Sequence, residues 1–372
     1  MRILHVVTLF SPDGEYGGPV RVALNQAVAL RELGHEVTIA AGAQGYAQLP
    51  TEQEGVPLVL FRAAKILPGV GFASLCAPGM LRWLVSNAKR FDIVHLHMAR
   101  DLILLPCAAL VRKFKIPYVI QSHGMLAPNS NPLAPVLDTM FVRRLLHDAH
   151  TTFYLTSNER DGLAATAKGS PSLSNLNNGV PLYESALPPD GPPEVLFLAR
   201  LHERKRPLDF IRAAKLLHAR GNDALFTLVG PDEGEGQAVQ TAISGMPFLR
   251  WEGSLPSGHG PTRMRTSTAY VLPAVDEPFP MSVLEAMAVG LPVVITDQCG
   301  LADFVHRTHS GLVITPGEEH VASAIATLLG DIDEARQMGQ RGREAVRREM
   351  NVSAVASQLL QAYQGAVGDF LR

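Results

Sequence analysis

The sequence has few cysteines, no long apolar run and no excess of basic charge. Its 3 cysteines lie far apart without C-x-x-C spacing, which argues against a disulfide framework and favours reduced thiols in the core. No apolar run reaches the roughly 18 residues of a membrane span. Met1 leads straight into a strand and not into the apolar core of a signal peptide. We therefore expect a cytoplasmic protein.

Charge and missing motifs argue against several classes of protein. A net charge of −2 offers no basic surplus for binding nucleic acid. The sequence lacks a G-x-G-x-x-G dinucleotide fingerprint, a P-loop, a G-x-S-x-G elbow and a metal-ligand cluster. Its D-x-D pattern, Asp331-Ile332-Asp333, begins a C-terminal helix and is interpreted as helix N-terminal acids, not as a manganese site. No metal and no cofactor are therefore expected.

The chain is long enough for two domains. Its 372 residues predict two cores of roughly 150 to 190 residues. Strands and helices alternate from the N-terminus, beginning with a βαβ unit over residues 1–41, and this order is typical of a parallel α/β sheet. Residues 187–193 (LPPDGPP) have the composition of a semi-rigid linker. We predict a first domain over residues 1–186 and a second over 194–351.

The segment from Asp276 to Thr296 has several features of a nucleotide-sugar site. A short apolar strand precedes a loop with Glu277, and Glu285 lies about one turn inside the helix that follows. We expect Ser282 to cap this helix and Gly290 to end it. A helix N-terminus attracts anionic groups such as a diphosphate, and each carboxylate can accept two hydrogen bonds from a vicinal diol. Two carboxylates beside a phosphate site fit a ligand with hydroxyls at both ends, as in a nucleoside diphosphate sugar.

This segment resembles the E-x7-E motif of the family 4 retaining glycosyltransferases, the group 1 type glycosyl transferases. The motif runs from Glu277 to Glu285 and continues into AMAVGLPVV over residues 286–294. The resemblance implies a GT-B fold, in which two Rossmann-like domains face each other across a cleft. It further implies that Glu277 is catalytic and contacts hydroxyls of the transferred sugar, while Glu285 binds the ribose.

Further donor contacts are implied by the same resemblance. The family usually has glycine where this chain has Pro280, which offers no backbone N–H, so amide contacts to the donor are expected at Met281 and Ser282. Residues 199–205 (ARLHERK) resemble the family's G-R-L-x-x-x-K loop, with alanine in place of the glycine. Arg200 and Lys205 are expected to hold the diphosphate and to stabilise the departing nucleoside diphosphate.

The first domain contributes a glycine pair and a histidine to the predicted site. Gly17 and Gly18 follow the first strand, where backbone without a Cβ can approach a ligand, and the resemblance places this loop against the donor phosphate. His123, in S-H-G-M-L, resembles the family's strand-end histidine, which contacts the donor sugar or its phosphate, and the resemblance implies that His123 is catalytic. His95 and His97 are interpreted as ordinary strand residues that face opposite sides. The C-terminal helix, about residues 352–372, is expected to pack back on this domain.

Together these features predict a metal-independent retaining hexosyltransferase in cell-surface polysaccharide or glycoconjugate synthesis. UDP-glucose, UDP-N-acetylglucosamine and GDP-mannose all fit as donors. A glycan, a lipid-linked saccharide and a small molecule all fit as acceptors in the first domain. A helix predicted over residues 139–149 carries arginines beside apolar residues and is either a plain surface helix or a contact with the inner face of the membrane. A sugar-nucleotide epimerase or hydrolase on the same fold, and a non-catalytic GT-B partner protein, are the alternatives.

Overall fold

Two compact units make up the chain. The computed structural model describes residues 1–12, 17–66, 71–128, 133–187, 191–256 and 258–370. The first unit comprises Met1–Gly179 and Val352–Arg372, and the second comprises Val180–Asn351. The division therefore precedes the predicted linker, part of which, residues 188–190, lies outside the described residues.

The reason for this boundary lies in the hydrogen bonds of residues 183–187. The Ala186 amide donates to the Val289 carbonyl at 2.8 Å, and Arg343 Nη2 donates to the Tyr183 carbonyl at 2.6 Å. Backbone polar groups need partners once they leave water, and these two find theirs in the second unit. The start of the proline-rich segment is thus part of the second unit.

Parallel strands form the centre of both units, as the alternation of strands and helices predicted. In chain order, the strands are β1 Arg2–Phe10, β2 Glu36–Ala43, β3 Glu52–Gln53, β4 Val56–Arg62, β5 Ala64–Lys65, β6 Leu75–Cys76, β7 Ile93–His97, β8 Tyr118–Gln121, β9 Thr152–Tyr154, β10 Leu173–Asn175, β11 Glu194–Leu198, β12 Leu225–Val229, β13 Leu249–Trp251, β14 Ala269–Leu272, β15 Val293–Thr296 and β16 Gly311–Ile314. β1 is buried at every residue after its first, as expected for a strand covered on both faces.

Helices follow most of these strands and cover the two sheets. They are α1 Gly17–Glu32, α2 Pro78–Asn87, α3 Leu104–Lys113, α4 Ala134–Leu137, α5 Arg143–Asp148, α6 Ser157–Ala167, α7 Pro207–Ala219, α8 Gly236–Ile243, α9 Gly260–Met264, α10 Met281–Val289, α11 Ala302–Thr308, α12 Glu318–Gly330, α13 Ile332–Glu349 and α14 Val352–Phe370. The helix predicted over residues 139–149 is interrupted, because Asp138–Val142 form a π-helical turn before α5. No helix of the described residues is both long and apolar enough to span a membrane.

The strand order of each sheet reverses at one position. In the first unit the order is β10-β9-β8-β7-β1-β2-β4-β3, and in the second it is β13-β12-β11-β14-β15-β16. Apart from the antiparallel pair of β3 and β4, the strands within these two sheets are parallel. β5 and β6 form a separate antiparallel pair. The chain reverses its direction across the sheet between β1 and β7, and again between β11 and β14. Ligands of open α/β sheets bind at such reversals, beyond the carboxyl ends of the strands.

The last helix, α14, completes the core of the first unit. Val355, Leu359 and Tyr363 are buried and join a cluster with α1 and β1. A Cβ at Gly179 would lie 2.6 Å from the Val352 Cα, so only glycine allows the chain at residue 179 to pass this close to the start of α14. Residues distant in sequence thus share one core.

Candidate active site

Two loops of the second unit meet at the reversal between β11 and β14. Lys205, after β11, donates from Nζ to Glu277 Oε2 at 2.5 Å, and the two side chains are 15% and 13% exposed. The Val275 amide donates to the Arg204 carbonyl at 2.8 Å, and the Arg204 side chain donates to the Asp276 carbonyl. The loops are therefore bound to each other through both backbone and side chains.

The Glu277 backbone is fixed from the other side as well. Its carbonyl accepts a hydrogen bond from the Gly300 amide at 2.8 Å, and Asp276 just before it has a φ of 49°. A non-glycine residue in the left-handed region is uncommon and persists where the surroundings dictate it. The position of the Glu277 carboxylate is thus imposed by its neighbours.

Helix α10 begins with Met281, which follows Pro280 directly. Gly290, with a φ of 96°, ends it as the sequence predicted, since the Gly290 and Leu291 amides both donate to the Ala286 carbonyl. The first amides of a helix have no partner within it, so the Met281 and Ser282 amides are the groups available to an anion there.

The prediction that Ser282 caps this helix is wrong. Pro280 occupies the cap position without a side-chain hydrogen bond, and Ser282 lies inside the helix. Its hydroxyl is 2.8 Å from the Tyr270 hydroxyl, which also lies 2.9 Å from the Leu198 carbonyl oxygen. Burial raises the pKa of Tyr270, so the phenol stays neutral. Ser282 therefore connects α10 to the end of β11.

Glu285 lies on the same helix, one turn further on, as predicted. It is 9% exposed among the buried apolar residues of α10. A Cβ built on Gly260 would lie 3.5 Å from Glu285 Oε2, which places this carboxylate beside the start of α9. The charges of Glu285 and Glu277 both act to raise the pKa of Tyr270, so both carboxylates of the motif influence one phenol.

Arg200 has a partner that sequence reasoning missed. Its Nη1 donates to Glu233 Oε1, and Glu233 Oε2 is buried without a hydrogen-bond partner among the described residues. The Glu233 amide donates to the Leu201 carbonyl at 3.1 Å, which joins the two loops. This pairing joins residues 33 apart, and no local pattern of the sequence indicates it.

The glycine pair of the first unit lies in a helix. Gly17 and Gly18 form the first residues of α1, not the predicted loop, and residues 13–16 before them are outside the described part of the chain. A Cβ on Gly18 would meet no atom within 4 Å. The two residues therefore offer helix-start amides after β1.

His123 follows β8 with a φ of 49°, and its neighbours hold it in that conformation. The buried Glu159 accepts from the Ser122 hydroxyl and from the Gly124 amide at 2.6 Å through Oε1. Oε2 of the same carboxylate accepts from the Leu155 amide at 2.7 Å. Glu159 thus binds the residues on both sides of His123, and no sequence motif pointed to it.

The imidazoles of His95 and His97 lie on the same side of β7, so the prediction that they face opposite sides is wrong. Residues two apart in a strand share a face, and these two rings stack with centroids 4.4 Å apart. His5 joins them, with Nδ1 3.0 Å from His97 Nε2. Burial lowers the pKa of His5 to about 3 and that of the other two well below the ordinary value, so the three rings are neutral.

The predicted residues therefore divide between the two units. Six of them gather in the second unit, around the carboxyl ends of β11 and β14: Arg200, Lys205, Glu277, Met281, Ser282 and Glu285. Gly17, Gly18 and His123 lie in the first unit, after β1 and β8. Each set occupies the edge of its sheet where ligands of such folds bind.

Comparison with known protein families assigns both units to sugar transfer. Residues 183–345 match the family described as Glycosyl transferases group 1, and residues 17–172 match the Glycosyl transferase 4-like domain. The matches together span both units.

Proteins of similar sequence are also named as glycosyltransferases. A D-inositol 3-phosphate glycosyltransferase of Nocardia farcinica is 26% identical over 99% of this chain and 89% of its own. WcaL of Salmonella typhimurium, named "Putative colanic acid biosynthesis glycosyltransferase", is 25% identical over 92% of this chain and 95% of its own.

Solved structures establish the fold. HepE of Anabaena, in complex with UDP and glucose, superposes with a TM-score of 0.77 at 19% identity, over 97% of this chain and 98% of HepE. The solved structures that resemble this chain are GT-B glycosyltransferases, as the resemblance of the E-x7-E segment implied. The chain belongs to the group 1 glycosyltransferases.

Proposed function

We propose that this glycosyltransferase takes a hexose from a nucleoside diphosphate sugar and transfers it with retention of anomeric configuration, without a metal ion. The single observation that carries the proposal is the contact of Lys205 with Glu277, 2.5 Å apart where the strand order reverses. A cation suited to a diphosphate and a carboxylate suited to sugar hydroxyls thus lie side by side, as a nucleotide-sugar donor requires.

The cations and the helix start of the second unit would hold the diphosphate. Arg200 can bond two phosphate oxygens at once, Lys205 adds a point charge, and the Met281 and Ser282 amides offer donors at the start of α10. Negative charge grows on the leaving group as the glycosidic bond breaks, so fixed cations stabilise the transition state more than the ground state. Two cations on one loop can serve this purpose without a metal.

The carboxylates and His123 would select and orient the sugar nucleotide. Glu285 would accept hydrogen bonds from the ribose and Glu277 from the sugar, while His123 and the amides of Gly17 and Gly18 would meet the donor from the first unit. In the front-side reaction we propose, the leaving phosphate oxygen takes the acceptor proton as the new bond forms on the face that the phosphate leaves. This route needs no separate general base.

The relatives indicate which donors to test first. Two structures of HepE hold UDP, one of them together with glucose, and a third holds UDP-glucose. The names of two relatives mention D-inositol 3-phosphate and colanic acid biosynthesis, so they indicate no single class of acceptor. We propose a UDP-sugar as donor and a glycan or lipid-linked saccharide of cell-surface polysaccharide synthesis as acceptor.

A surface of the first unit supports a lipid-linked acceptor. Leu133, Val136 and Met140 are each more than half exposed, at 53%, 53% and 56%, and their spacing puts them on one side of the helical segment around α4. The exposed Arg144 follows in α5. Apolar side chains next to a cation are the composition of a peripheral contact with an anionic lipid surface. We propose such a contact with the inner face of the membrane.

Calorimetry tests the donor assignment. We would titrate UDP, GDP, ADP and their common sugar conjugates into the wild type and into Glu285→Ala, with chelator present. We expect one nucleotide to bind in the micromolar range and the variant to lose at least tenfold in affinity, about 1.4 kcal/mol. Glu344→Ala, an exposed glutamate of α13, is the matched control and should bind as the wild type does. If no nucleotide binds, the proposal fails.

A further inference from the structure

A chain of hydrogen-bonded rings runs through the interior of the first unit and ends at His123. His97 Nδ1 lies 2.9 Å from His123 Nε2, and His97 Nε2 lies 3.0 Å from His5 Nδ1. The Tyr363 hydroxyl continues the chain, 3.4 Å from His5 Nε2 and 2.7 Å from His95 Nδ1. Five side chains from β1, β7, α14 and the loop after β8 are thus linked in series.

The two ends of this chain differ in their surroundings. At the inner end, His95 Nε2 is buried and has no hydrogen-bond partner among the described residues. At the outer end, His123 is half-buried. A neutral imidazole has one N–H and one bare nitrogen, so the proton position on one ring dictates that on the next. The inner end therefore sets the direction of the whole series.

A buried N–H without an acceptor is rarer in proteins than a buried acceptor without a donor. His95 Nε2 should therefore be the bare nitrogen, which leaves the proton on His95 Nδ1, donated to the Tyr363 oxygen. Tyr363 then donates to His5 Nε2. His5 donates through Nδ1 to His97 Nε2, and His97 donates through Nδ1 to His123 Nε2.

We propose that His5, His97 and Tyr363 are positioning residues that fix the tautomer of His123, so that its Nδ1–H is a permanent hydrogen-bond donor to the nucleotide sugar. Because His123 Nε2 accepts from His97, the proton of the neutral ring must lie on Nδ1. Burial lowers the pKa of His123 to about 3, so the ring stays neutral throughout the physiological range. This inference rests on the proposed function only for the identity of the ligand.

The series of hydrogen-bonded rings, which we call the relay, fixes the imidazole of His123. Glu159 fixes the backbone of the same residue. Its Oε1 accepts from the Gly124 amide and the Ser122 hydroxyl, one residue on either side of His123. These bonds hold the left-handed conformation of His123, which costs about 1 kcal/mol or more in a non-glycine residue. Both the direction of the imidazole and the position of its proton are therefore determined before a ligand binds.

A metal ion is the other chemistry that these residues could support. Ligand atoms of His5, His95 and His97 lie within 4.8 Å of one another. However, the His95 and His97 rings are stacked at an angle of 18° with centroids 4.4 Å apart, and a metal ion must lie in the plane of each imidazole that binds it. Two nearly parallel planes do not converge on one ion, so the geometry favours the hydrogen-bonded series.

Nitrogen NMR of the free protein tests the relay directly. In ¹⁵N-labelled wild type, two-bond ¹H–¹⁵N spectra distinguish the protonated from the bare ring nitrogen, and His123→Asn assigns the His123 signals. We expect a single tautomer with the proton on Nδ1. Tyr363→Phe removes the link to His95 and should give a mixture of tautomers at His123. A proton on Nε2 in the wild type, or a Tyr363→Phe spectrum identical to it, would overturn the proposal.

The matched control is Tyr118→Phe. Tyr118 is also a buried tyrosine of the first unit, and its hydroxyl donates to the Leu145 carbonyl at 2.9 Å, outside the series. This variant loses a buried hydrogen bond but should keep the wild-type tautomer of His123. Titration with Zn²⁺ tests the alternative of a metal site. Simultaneous shifts of the His5, His95 and His97 signals would show a metal site in place of the relay.

Substitution of His123 separates the relay from its functional role. Asparagine places an amide N–H near the position of Nδ1, and glutamine places one near Nε2. We expect His123→Asn to keep at least tenfold more kcat/KM for the donor than His123→Gln. If the two variants are equally impaired, Nδ1–H is not the contact. If both turn over at the wild-type rate, His123 does not meet the donor, even where the NMR result supports the relay.

Discussion

Lys205 donates to Glu277 at 2.5 Å, so the cation proposed for the diphosphate and the carboxylate proposed for the sugar neutralise each other across two loops. Less than a fifth of either side chain is exposed, at 15% and 13%. The proposed roles place different demands on this pair: UDP would need the lysine alone, and a UDP-sugar would need both residues.

Lys205→Met and Glu277→Gln should separate these demands. We expect Lys205→Met to weaken UDP binding at least tenfold, about 1.4 kcal/mol, because a charge-assisted bond to phosphate is lost. Glu277→Gln should bind UDP as tightly as the wild type or more tightly, since Lys205 is released, yet lose roughly 100-fold in turnover of the UDP-sugar. Calorimetry and donor-consumption assays measure the two effects. Equal loss of UDP binding in both variants would contradict the separation.

Tyr270→Phe tests the link between β11 and α10. The tyrosine hydroxyl contacts both the Leu198 carbonyl and the Ser282 hydroxyl, and its removal leaves these partly buried groups short of a partner. We expect the free energy of unfolding to fall by about 1–3 kcal/mol and donor KM to rise, since α10 carries the proposed phosphate and ribose contacts. Urea denaturation and initial-rate kinetics measure both. A fall in stability with an unchanged KM would show that the link is only structural.

Arg263 is a structural cation, and its substitution should affect folding more than donor binding. Its guanidinium donates to Glu194 at 2.8 and 3.0 Å. Burial acts to raise the pKa of Glu194, but hydrogen bonds from Arg263 and Thr227 outweigh it and hold the pKa at about 2. A carboxyl with a lowered pKa stabilises the fold above its ordinary pKa and loses this effect as pH falls towards 2.

We therefore expect Arg263→Met to lower the free energy of unfolding by about 3 kcal/mol at pH 7, because the substitution leaves the buried Glu194 carboxylate without its main partner. The urea midpoint measures this effect. Arg336→Met is the control, since Arg336 is 51% exposed and lies 3.6 Å from Asp333. Arg250 Nη2 also donates to Glu194 Oε1, at 2.7 Å. A midpoint shift as small as that of the control would mean that Arg250 alone satisfies Glu194.

The buried histidines of the first unit should make stability depend on pH. In the unfolded chain these rings titrate near 6.5, whereas His5, His95 and His97 keep a lowered pKa in the fold. The unfolded chain takes up protons first as pH falls, so stability should decrease from pH 7 to pH 5, by up to about 1.4 kcal/mol per pH unit for each ring. Asp101, whose pKa burial raises to about 6, opposes this in part.

Urea unfolding at several pH values measures this slope. His95→Asn should flatten it by about one proton's contribution, while His320→Asn, at an exposed site of α12, should leave it unchanged. A stability that is constant between pH 7 and pH 5 would contradict the neutral state of the cluster.

Vesicle binding tests the proposed lipid contact. A triple variant with Leu133→Ser, Val136→Ser and Met140→Ser should sediment with phosphatidylglycerol vesicles at least tenfold less than the wild type, because each substitution removes roughly 1–2 kcal/mol of apolar transfer energy. Val85→Ser is the control, since Val85 is 56% exposed on α2. Equal binding of all three proteins, or none by the wild type, would refute the contact.

The sequence predicted what local patterns encode. Apolar strands alternating with helices gave both sheets, and Gly290 marked the end of α10 because the left-handed conformation there favours glycine. The nucleotide-sugar segment was recognisable because its two glutamates, its helix start and its following strand are contiguous. The prediction that Ser282 caps α10 failed because Pro280 takes the cap position, which places the serine inside the helix.

Pairings between distant residues lay beyond the sequence. Tyr363 and His95 are 268 residues apart, and nothing near either residue indicates the other. Glu159 has the pattern of an ordinary helix residue, yet it binds both neighbours of His123 from 35 and 37 positions away. Such contacts depend on strand order and helix docking, which hydrophobic periodicity does not specify.

The position of α14 has a consequence for the synthesis of the protein on the ribosome. The second unit is one continuous segment, so it can fold as soon as residue 351 has emerged. The first unit, although translated earlier, lacks Val355, Leu359 and Tyr363 until the last helix leaves the exit tunnel. During translation the apolar side of α1 therefore stays exposed to solvent until α14 emerges. The unit that is synthesised first is the one that completes its folding last.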